Sequence, residues 1–293
     1  KLINEINIGK RVFVKYGDLT DQNSIDKVIQ EVKPNVVFHL AAQSFPKTSF
    51  DEANLTYNTN ILGTSRLLES ITKFNLNPVI HICSSSEVFG RAPKKYLPIK
   101  EETPFHPASP YAISKIGTDL IAKFYHEAYG KKTLITRMFT HTGPRRGDVF
   151  AETTFAKQIS MIEKGLIPPV VKTGNLNSLR TYADVRDAVS AYFLLVKKGK
   201  KYGEAYNIGG NFSCTVGEML NFLISQSPLK NSIKIKTDKS RIRKIDADLQ
   251  VPDCTKFKKE FNWKPKFKFE TTMIDLLNYW RGKVERNEVF IQR

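Results

Sequence analysis

Tyr111 and Lys115 stand four residues apart in "SPYAISK" (109–115), and "CSSSEVFG" (83–90) sets Ser84, Ser85, Ser86 and Glu87 side by side. A phenol and an ammonium at i and i+4 share one helix face, about one turn apart. Free tyrosine has a pKa of about 10 and is a poor base at neutral pH. A neighbouring positive charge stabilises its phenolate, which suits proton exchange with an alcohol during hydride transfer. A hydroxyl beside the pair would orient that alcohol, and a positioned carboxylate is an acid–base group worth about 10²–10⁴ in rate. The spacing alone also fits a core tyrosine with a solvated lysine. Glu87 also fits a helix-capping carboxylate, and Ser84 and Ser86 fit ordinary turn hydrogen bonds.

Strand-like and helix-like segments alternate around these residues. "RVFVKYGDL" (11–19), "NVVFHLAA" (35–42), "PVIHI" (78–82) and "TLITRMF" (133–139) read as strands. The second is apolar enough for a parallel strand covered on both faces. "SIDKVIQEVK" (24–33) carries Ile25, Val28, Ile29 and Val32 at helical spacing. Helices are predicted at about 54–74 and 110–129, the latter with Ser109 as N-cap and Pro110 in its first turn. This order predicts an α/β fold, a Rossmann-type doubly wound parallel sheet with right-handed crossovers. Such sheets gather ligands at the carboxyl ends of their strands, where "GDLTD", "AAQS", "SSSE" and "THTGP" fall.

After residue 142 the rhythm loosens. Helices are predicted near 150–164, 185–198, 216–225 and 269–281, with "YNIGG" (206–210) and "SIKIK" (232–236) between them. The expected organisation is a dinucleotide-binding domain over 1–142, rejoined by about 181–209. A smaller C-terminal α/β substrate-binding lobe lies within 143–293.

The 293 residues carry 46 Lys+Arg against 29 Asp+Glu, a formal charge of +17. That field suits a solvated lysine-rich surface or an anionic partner such as a diphosphate. The basic residues do not interleave with aromatics in one block, so nucleic acid is disfavoured as a partner. No apolar run approaches the ~20 residues that span a bilayer. Cys83, Cys214 and Cys254 are widely separated and lack metal-ligand spacing; no metal is expected, and a reducing cytoplasm is.

A dinucleotide fold normally opens with a strand, a glycine-rich turn and a helix. The first sixty residues hold only Gly9 and Gly17, and no G-x-G-x-x-G occurs anywhere. Either the fold binds no dinucleotide, or the chain starts after its first βα unit. The motifs favour the second.

"GDLTD", "HLAAQS", "TNILGT", "SSSEVFG", "PYAISK", "HTGPRRG", "GNLNSLRTYADVRD" and "FNWKP" occur in that order. From about residue 11 to 281 the chain resembles the extended short-chain dehydrogenase/reductase superfamily. Within it the chain is similar to the branch of GDP-mannose 4,6-dehydratase and GDP-4-keto-6-deoxymannose reductase. The resemblance implies that Ser85 hydrogen-bonds the sugar O4, that Tyr111 shuttles the C4 proton, and that Lys115 holds the nicotinamide ribose. Glu87 matches the dehydratase carboxylate acting at C5 and C6. Asp18 and Leu19 match an adenine-contacting pair, and Ala41, Ala42 and Gln43 a loop beside the cofactor. Asn60 is read as structural. Arg180 and Arg243 match phosphate-binding arginines, and Asp246 a nucleoside contact. Arg145 and Arg146 match a loop reaching a neighbouring subunit's cofactor. Thr140 stands where the family usually has Asn before His, so that sugar-phosphate contact departs from the pattern.

The implied activity is a nucleotide-sugar 4,6-dehydratase using NADP or NAD, with a GDP-hexose as favoured substrate, in a homodimer or homotetramer. Two rivals stand beside it. One is an NAD(P)H-dependent 4-keto reductase or epimerase, which "YNIGG" and "FAKQISMIEKG" resemble more than "PRRG" does. The other is a non-catalytic nucleotide-sugar or NAD(P) binding protein, since fold alone does not establish function.

Overall fold

The computed structural model describes residues 12–289. The chain runs through α1 (Gln22–Val32), β1 (Val36–His39), α2 (Pro46–Asp51), α3 (Ala53–Tyr57), a π-helical turn (Asn58–Leu62) and α4 (Gly63–Lys73). Next come β2 (Val79–Cys83), α5 (Pro110–Tyr129), β3 (Lys132–Met138), β4 (His141–Thr142) and α6 (Ala151–Glu163). β5 (Val170–Thr173), β6 (Leu179–Asp184), α7 (Val185–Lys198), β7 (Ala205–Ile208), β8 (Phe212–Thr215) and α8 (Val216–Ser225) follow. The chain closes with β9 (Lys234–Thr237), β10 (Leu249–Gln250), α9 (Thr255–Phe261) and α10 (Phe269–Glu285).

The central sheet is parallel, in the order β1-β2-β3-β7. Its strand pairs are in clean register, Val36 with Val79 and Ile80 with Thr133, so the carboxyl ends emerge together. One face buries Ile80, Ile82 and Ile135 against Ile25, Ile29, Leu67, Leu68 and Ile71 from α1 and α4. The other packs Leu134, Met138, Tyr206 and Ile208 against α7 and α9 through Ala191, Tyr192, Leu195, Phe257 and Trp263. A second sheet, β10-β6-β4 with β8 antiparallel on β6, flanks the parallel pair β5-β9. Its core lies among α6, α8 and α10, where Ile159, Met219, Leu220, Met273 and Leu276 are fully enclosed.

Helix α5 forms where the sequence signals place it. Ser109 accepts from Ala112 N at 3.0 Å, Pro110 opens the helix, and Gly130 ends it at φ 62°. Such a cap contributes about 1 kcal/mol. The buried face of α5 presents Tyr111, Lys115, Thr118, Asp119 and Ala122. Asp119 and Arg137 of β3 meet there at 2.6 Å, a pair whose breaking by removal of one partner costs about 3–5 kcal/mol.

Two sequence expectations fail together. Residues 13–18 form no strand, and Phe13 and Tyr16 stand 73% and 93% exposed; Arg11, the first residue of that stretch, lies outside the described residues. β1 is an edge strand rather than one covered on both faces, with Val36, Phe38 and Leu40 exposed. The reason is shared. A strand exists through its ladder, and β1 pairs only with β2 among the described residues.

Candidate active site

The "CSSSEVFG" stretch leaves β2 at Cys83 and turns through a 3₁₀ segment, Ser86–Phe89. Ser85 caps that turn, its Oγ accepting from Glu87 N at 3.2 Å. Val88 and Phe89 anchor the turn from below, fully buried with Ile99 and Phe139. Gly90 follows at φ 45°, and a Cβ there would lie 1.8 Å from His106 O. A glycine is required at that point because the left-handed backbone and the close approach both exclude a side chain.

Helix α5 brings Tyr111 and Lys115 to the same place. Tyr111 N donates to Ser49 Oγ at 3.0 Å, fixing the first turn against α2. The Tyr111 phenol faces the Ser85 hydroxyl, with Glu87, Cys83 and Arg146 within electrostatic reach. Lys115 Nζ donates to Cys83 O at 2.7 Å and lies 5.9 Å from the Tyr111 ring centroid. Ser85, Glu87, Tyr111 and Lys115 therefore converge on one side of the β2 terminus.

Burial dominates the electrostatics. It pushes the Tyr111 phenol well above its ordinary range, against a smaller opposing effect of the Ser85 hydrogen bond and the Arg146 charge. It also pulls the Lys115 ammonium below its usual range, while Cys83 and Asp119 oppose it. The expected lowering of the tyrosine pKa calls on a bound nicotinamidium as well as the ammonium; in the chain alone desolvation dominates.

Residues between 180 and 246 bring alternating charges to this turn. Arg180 Nη2 lies 3.3 Å from Asp246 Oδ1, Arg243 Nη1 is 3.3 Å from the same oxygen, and Arg243 Nη1 is 4.0 Å from Glu87 Oε1. Arg180 also donates to Ala247 O. The three residues matched to substrate binding thus form one chain ending on the acid of the turn. Thr140 is held through its backbone, its carbonyl accepting from Ala183 N at 2.9 Å.

The cofactor-side residues are held by local structure. Asp18 accepts from Thr20 N and Thr20 Oγ1, both at 2.8 Å, and Asp21 caps α1. Leu19 O accepts from Arg66 Nη1 at 3.0 Å. Beyond Ala41 and Ala42, Gln43 N donates to Asn60 Oδ1 at 2.8 Å, and Asn60 Nδ2 donates to Gln43 O and to Ser114 Oγ. Asn60 sits in the π-helical turn and ties this loop to α5; such turns are frequent at functional sites. Arg146 is drawn into its own chain, 2.7 Å from Glu152 Oε1 and 3.8 Å from the Phe150 ring centroid. Arg145 adopts a left-handed backbone, φ 74°.

The residues fit one half of a dinucleotide site. A buried phenol and ammonium at the carboxyl end of a parallel strand suit a nicotinamide ribose. No glycine-rich turn for the diphosphate occurs in the sequence. Ser49, Cys83 and Asp119 were missed from the sequence. Asp119 had a signal, since it extends the 111, 115 spacing by one more turn. Ser49 and the Cys83 carbonyl had none, because each acts across the fold.

The model of the GDP-mannose 4,6 dehydratase family matches residues 2–276. GDP-mannose 4,6 dehydratase 1 of Arabidopsis thaliana is 33% identical over 90% of this chain and 73% of that protein. The GDP-6-deoxy-D-mannose reductase of Pseudomonas aeruginosa is 27% identical over 91% of this chain and 86% of its own length. The solved structure of RMD from Pseudomonas aeruginosa complexed with NADPH superposes with a TM-score of 0.83 at 27% identity, covering 92% of this chain and 88% of that one.

Proposed function

The chain belongs to the GDP-mannose 4,6 dehydratase family, and we propose that its cleft converts GDP-mannose to GDP-4-keto-6-deoxymannose. The protein is a nucleotide-sugar 4,6-dehydratase, an NAD(P)-dependent lyase. The observation that carries the substrate reading is the line Tyr111–Ser85–Glu87–Arg243, a phenol, an alcohol, an acid and a phosphate-type cation in succession.

NADP or NAD bound beside Tyr111 and Lys115 would supply reversible hydride transfer for the sugar's C4 and C6. The chain's own residues do the rest. Tyr111 takes the proton of the C4 hydroxyl, which Ser85 orients. Lys115, fixed on Cys83 O, supplies the positive charge beside the phenol and holds the ribose. The C4 ketone acidifies the C5 proton, Glu87 removes it, and the same carboxyl then protonates the departing C6 hydroxyl as water. Arg180 and Arg243 grip the diphosphate with planar guanidinium groups suited to phosphate oxygens, and Asp246 aligns them. On this reading residues 1–142 and about 181–209 serve the cofactor, and the lobe within 143–293 serves the substrate.

Incubation with GDP-mannose and NADP, followed by product mass, tests this. Loss of one water with no net reductant consumed supports it, whereas an unchanged mass sinks it. The likeness to the Pseudomonas reductase favours a second reading, a 4-keto reductase, which would consume NADPH stoichiometrically.

We also assign a homodimer or homotetramer. Leu55 and Leu62 on one helical run, and Ile113, Leu120 and Phe124 on α5, stand exposed on neighbouring helices. Exposed apolar faces of this kind mark association sites. Light scattering on the purified chain checks it, and a monomer at micromolar concentration overturns it. No described helix is long and apolar enough to cross a membrane, and we place the enzyme in the cytoplasm, in keeping with three unpaired cysteines.

A further inference from the structure

The helix face that carries Tyr111 and Lys115 carries a third ionisable side chain at the same spacing. Asp119 lies one turn beyond Lys115, and the three are 8%, 5% and 3% exposed. Asp119 Oδ2 accepts from Arg137 Nε at 2.6 Å. Its Oδ1 closes no hydrogen bond, and neither does Ser84 Oγ, whose hydroxyl faces that carboxylate. Ser84 N donates to Thr136 O at 2.8 Å, so Ser84 is the last residue held by the sheet before Ser85. Arg137 in turn donates to Glu101 O at 2.7 Å and lies 4.9 Å from the Phe105 ring centroid. One carboxylate thus meets the catalytic helix, the neighbouring strand and the root of the turn that carries Ser85 and Glu87.

A buried ammonium is driven toward its neutral form unless an anion stands near it. The ionisable groups facing Lys115 are His39 on β1, His81 and Cys83 on β2, and Tyr111 and Asp119 on α5. Arg137 on β3 stands behind Asp119, and Tyr192 on α7 stands behind Cys83. The histidines are held neutral by burial. Asp119 is the carboxylate in that set, paired with Arg137 Nε at 2.6 Å, although burial raises its pKa against that neighbouring charge.

We infer that Asp119, one helical turn from Lys115 on the same buried face, is a positioning residue of the reaction that keeps the Lys115 ammonium charged inside the site. The inference rests on the reading of Tyr111 and Lys115 as the proton-exchange pair. It leaves Asp119 without contact to substrate or cofactor.

The test titrates ¹³C-lysine-labelled protein by NMR in the absence of nucleotide, with the Lys115 resonance assigned by Lys115→Arg. In Asp119→Asn the Lys115 midpoint should fall by about one pH unit or more, because the anion is gone and Arg137 adds repulsion. Asp119→Glu should restore most of it. If Asp119→Asn does not fold, Asp119→Leu combined with Arg137→Met removes both charges, and the midpoint should fall by a smaller amount. The alkaline limb of the kcat–pH profile should move the same way. A merely structural Asp119 would lower Tm and leave the Lys115 midpoint unmoved in whichever variant folds, and that result overturns the inference. Absence of turnover on GDP-mannose together with a moved Lys115 midpoint would instead remove the proposed function and leave the coupling standing.

Discussion

Arg243 Nη1 stands 4.0 Å from Glu87 Oε1 and 3.3 Å from Asp246 Oδ1, so one guanidinium joins the acid of the β2 turn to Asp246. A diphosphate bound as proposed would share this group with two carboxylates, which makes its planar, multi-donor geometry matter. Replacing Arg243 with Met should raise KM for GDP-mannose roughly ten- to a hundredfold, the effect of losing one charge-assisted hydrogen bond of about 1.5–3 kcal/mol. Arg243→Lys should recover only part of that. Initial-rate kinetics on the two variants decide the matter. An unchanged KM in Arg243→Met would remove Arg243 from the substrate site.

Glu87 is asked for a different task, and its loss should look different. In Glu87→Gln, oxidation at C4 remains available to Tyr111 and Ser85, whereas removal of the C5 proton does not. Overall dehydration should fall by about 10²–10⁴, while a brief exposure to substrate still produces reduced cofactor absorbance. Exchange of the C5 hydrogen with deuterium from solvent should vanish in parallel. If exchange continued at the parent rate, the base would have to be another group.

Tyr111 faces Ser85 with a pKa held high by burial, so it sits protonated until Lys115 and the bound cofactor act on it. Tyr111→Phe keeps the ring's packing and removes the oxygen. Turnover should drop below detection, while fluorescence titration still shows nucleotide binding near the parent affinity. Retained turnover would mean that the C4 proton leaves by another route.

The legible part of this molecule was local. Ser109 and Pro110 announce the start of α5, and the Tyr111–Lys115 spacing and the polar run after β2 need only short-range rules to be read. "RVFVKYGDL" defeated the same rules, because apolar content marks a strand only where a neighbour supplies hydrogen bonds, and residues 13–18 form no strand. For the same reason the edge position of β1 could not be read from its own residues. The contacts that complete the site, Ser49 to Tyr111 N and Lys115 to Cys83 O, join positions 62 and 32 residues apart. The burial that raises the Tyr111 pKa in the chain alone was hidden too, since a sequence shows the neighbouring lysine and not the depth of the site.

Two buried histidines, His39 and His81, and the half-buried His141 give the fold its acid limit. Burial holds His39 down at about 4, His81 at about 3 and His141 at about 4. His39 Nε2 meets Thr64 Oγ1 at 3.0 Å and His81 Nε2 meets Thr136 Oγ1 at 2.8 Å. In the unfolded chain each takes up a proton near pH 6.5. Below that pH the unfolded state therefore binds more protons, and stability falls as pH falls until the folded pKa values are reached. Each histidine contributes a slope of up to about 1.4 kcal/mol per pH unit. Glu101 and Asp119, whose pKa values burial raises, act in the opposite direction in parent and variant alike, so the difference between the two proteins from pH 7.5 to 5.5 reads His81. Urea midpoints across that interval should decline steadily in the parent and less steeply in His81→Asn, even though that variant starts lower. Equal slopes in the two proteins would show that His81 takes its proton in the folded state, and that its burial does not govern the acid side of the stability curve.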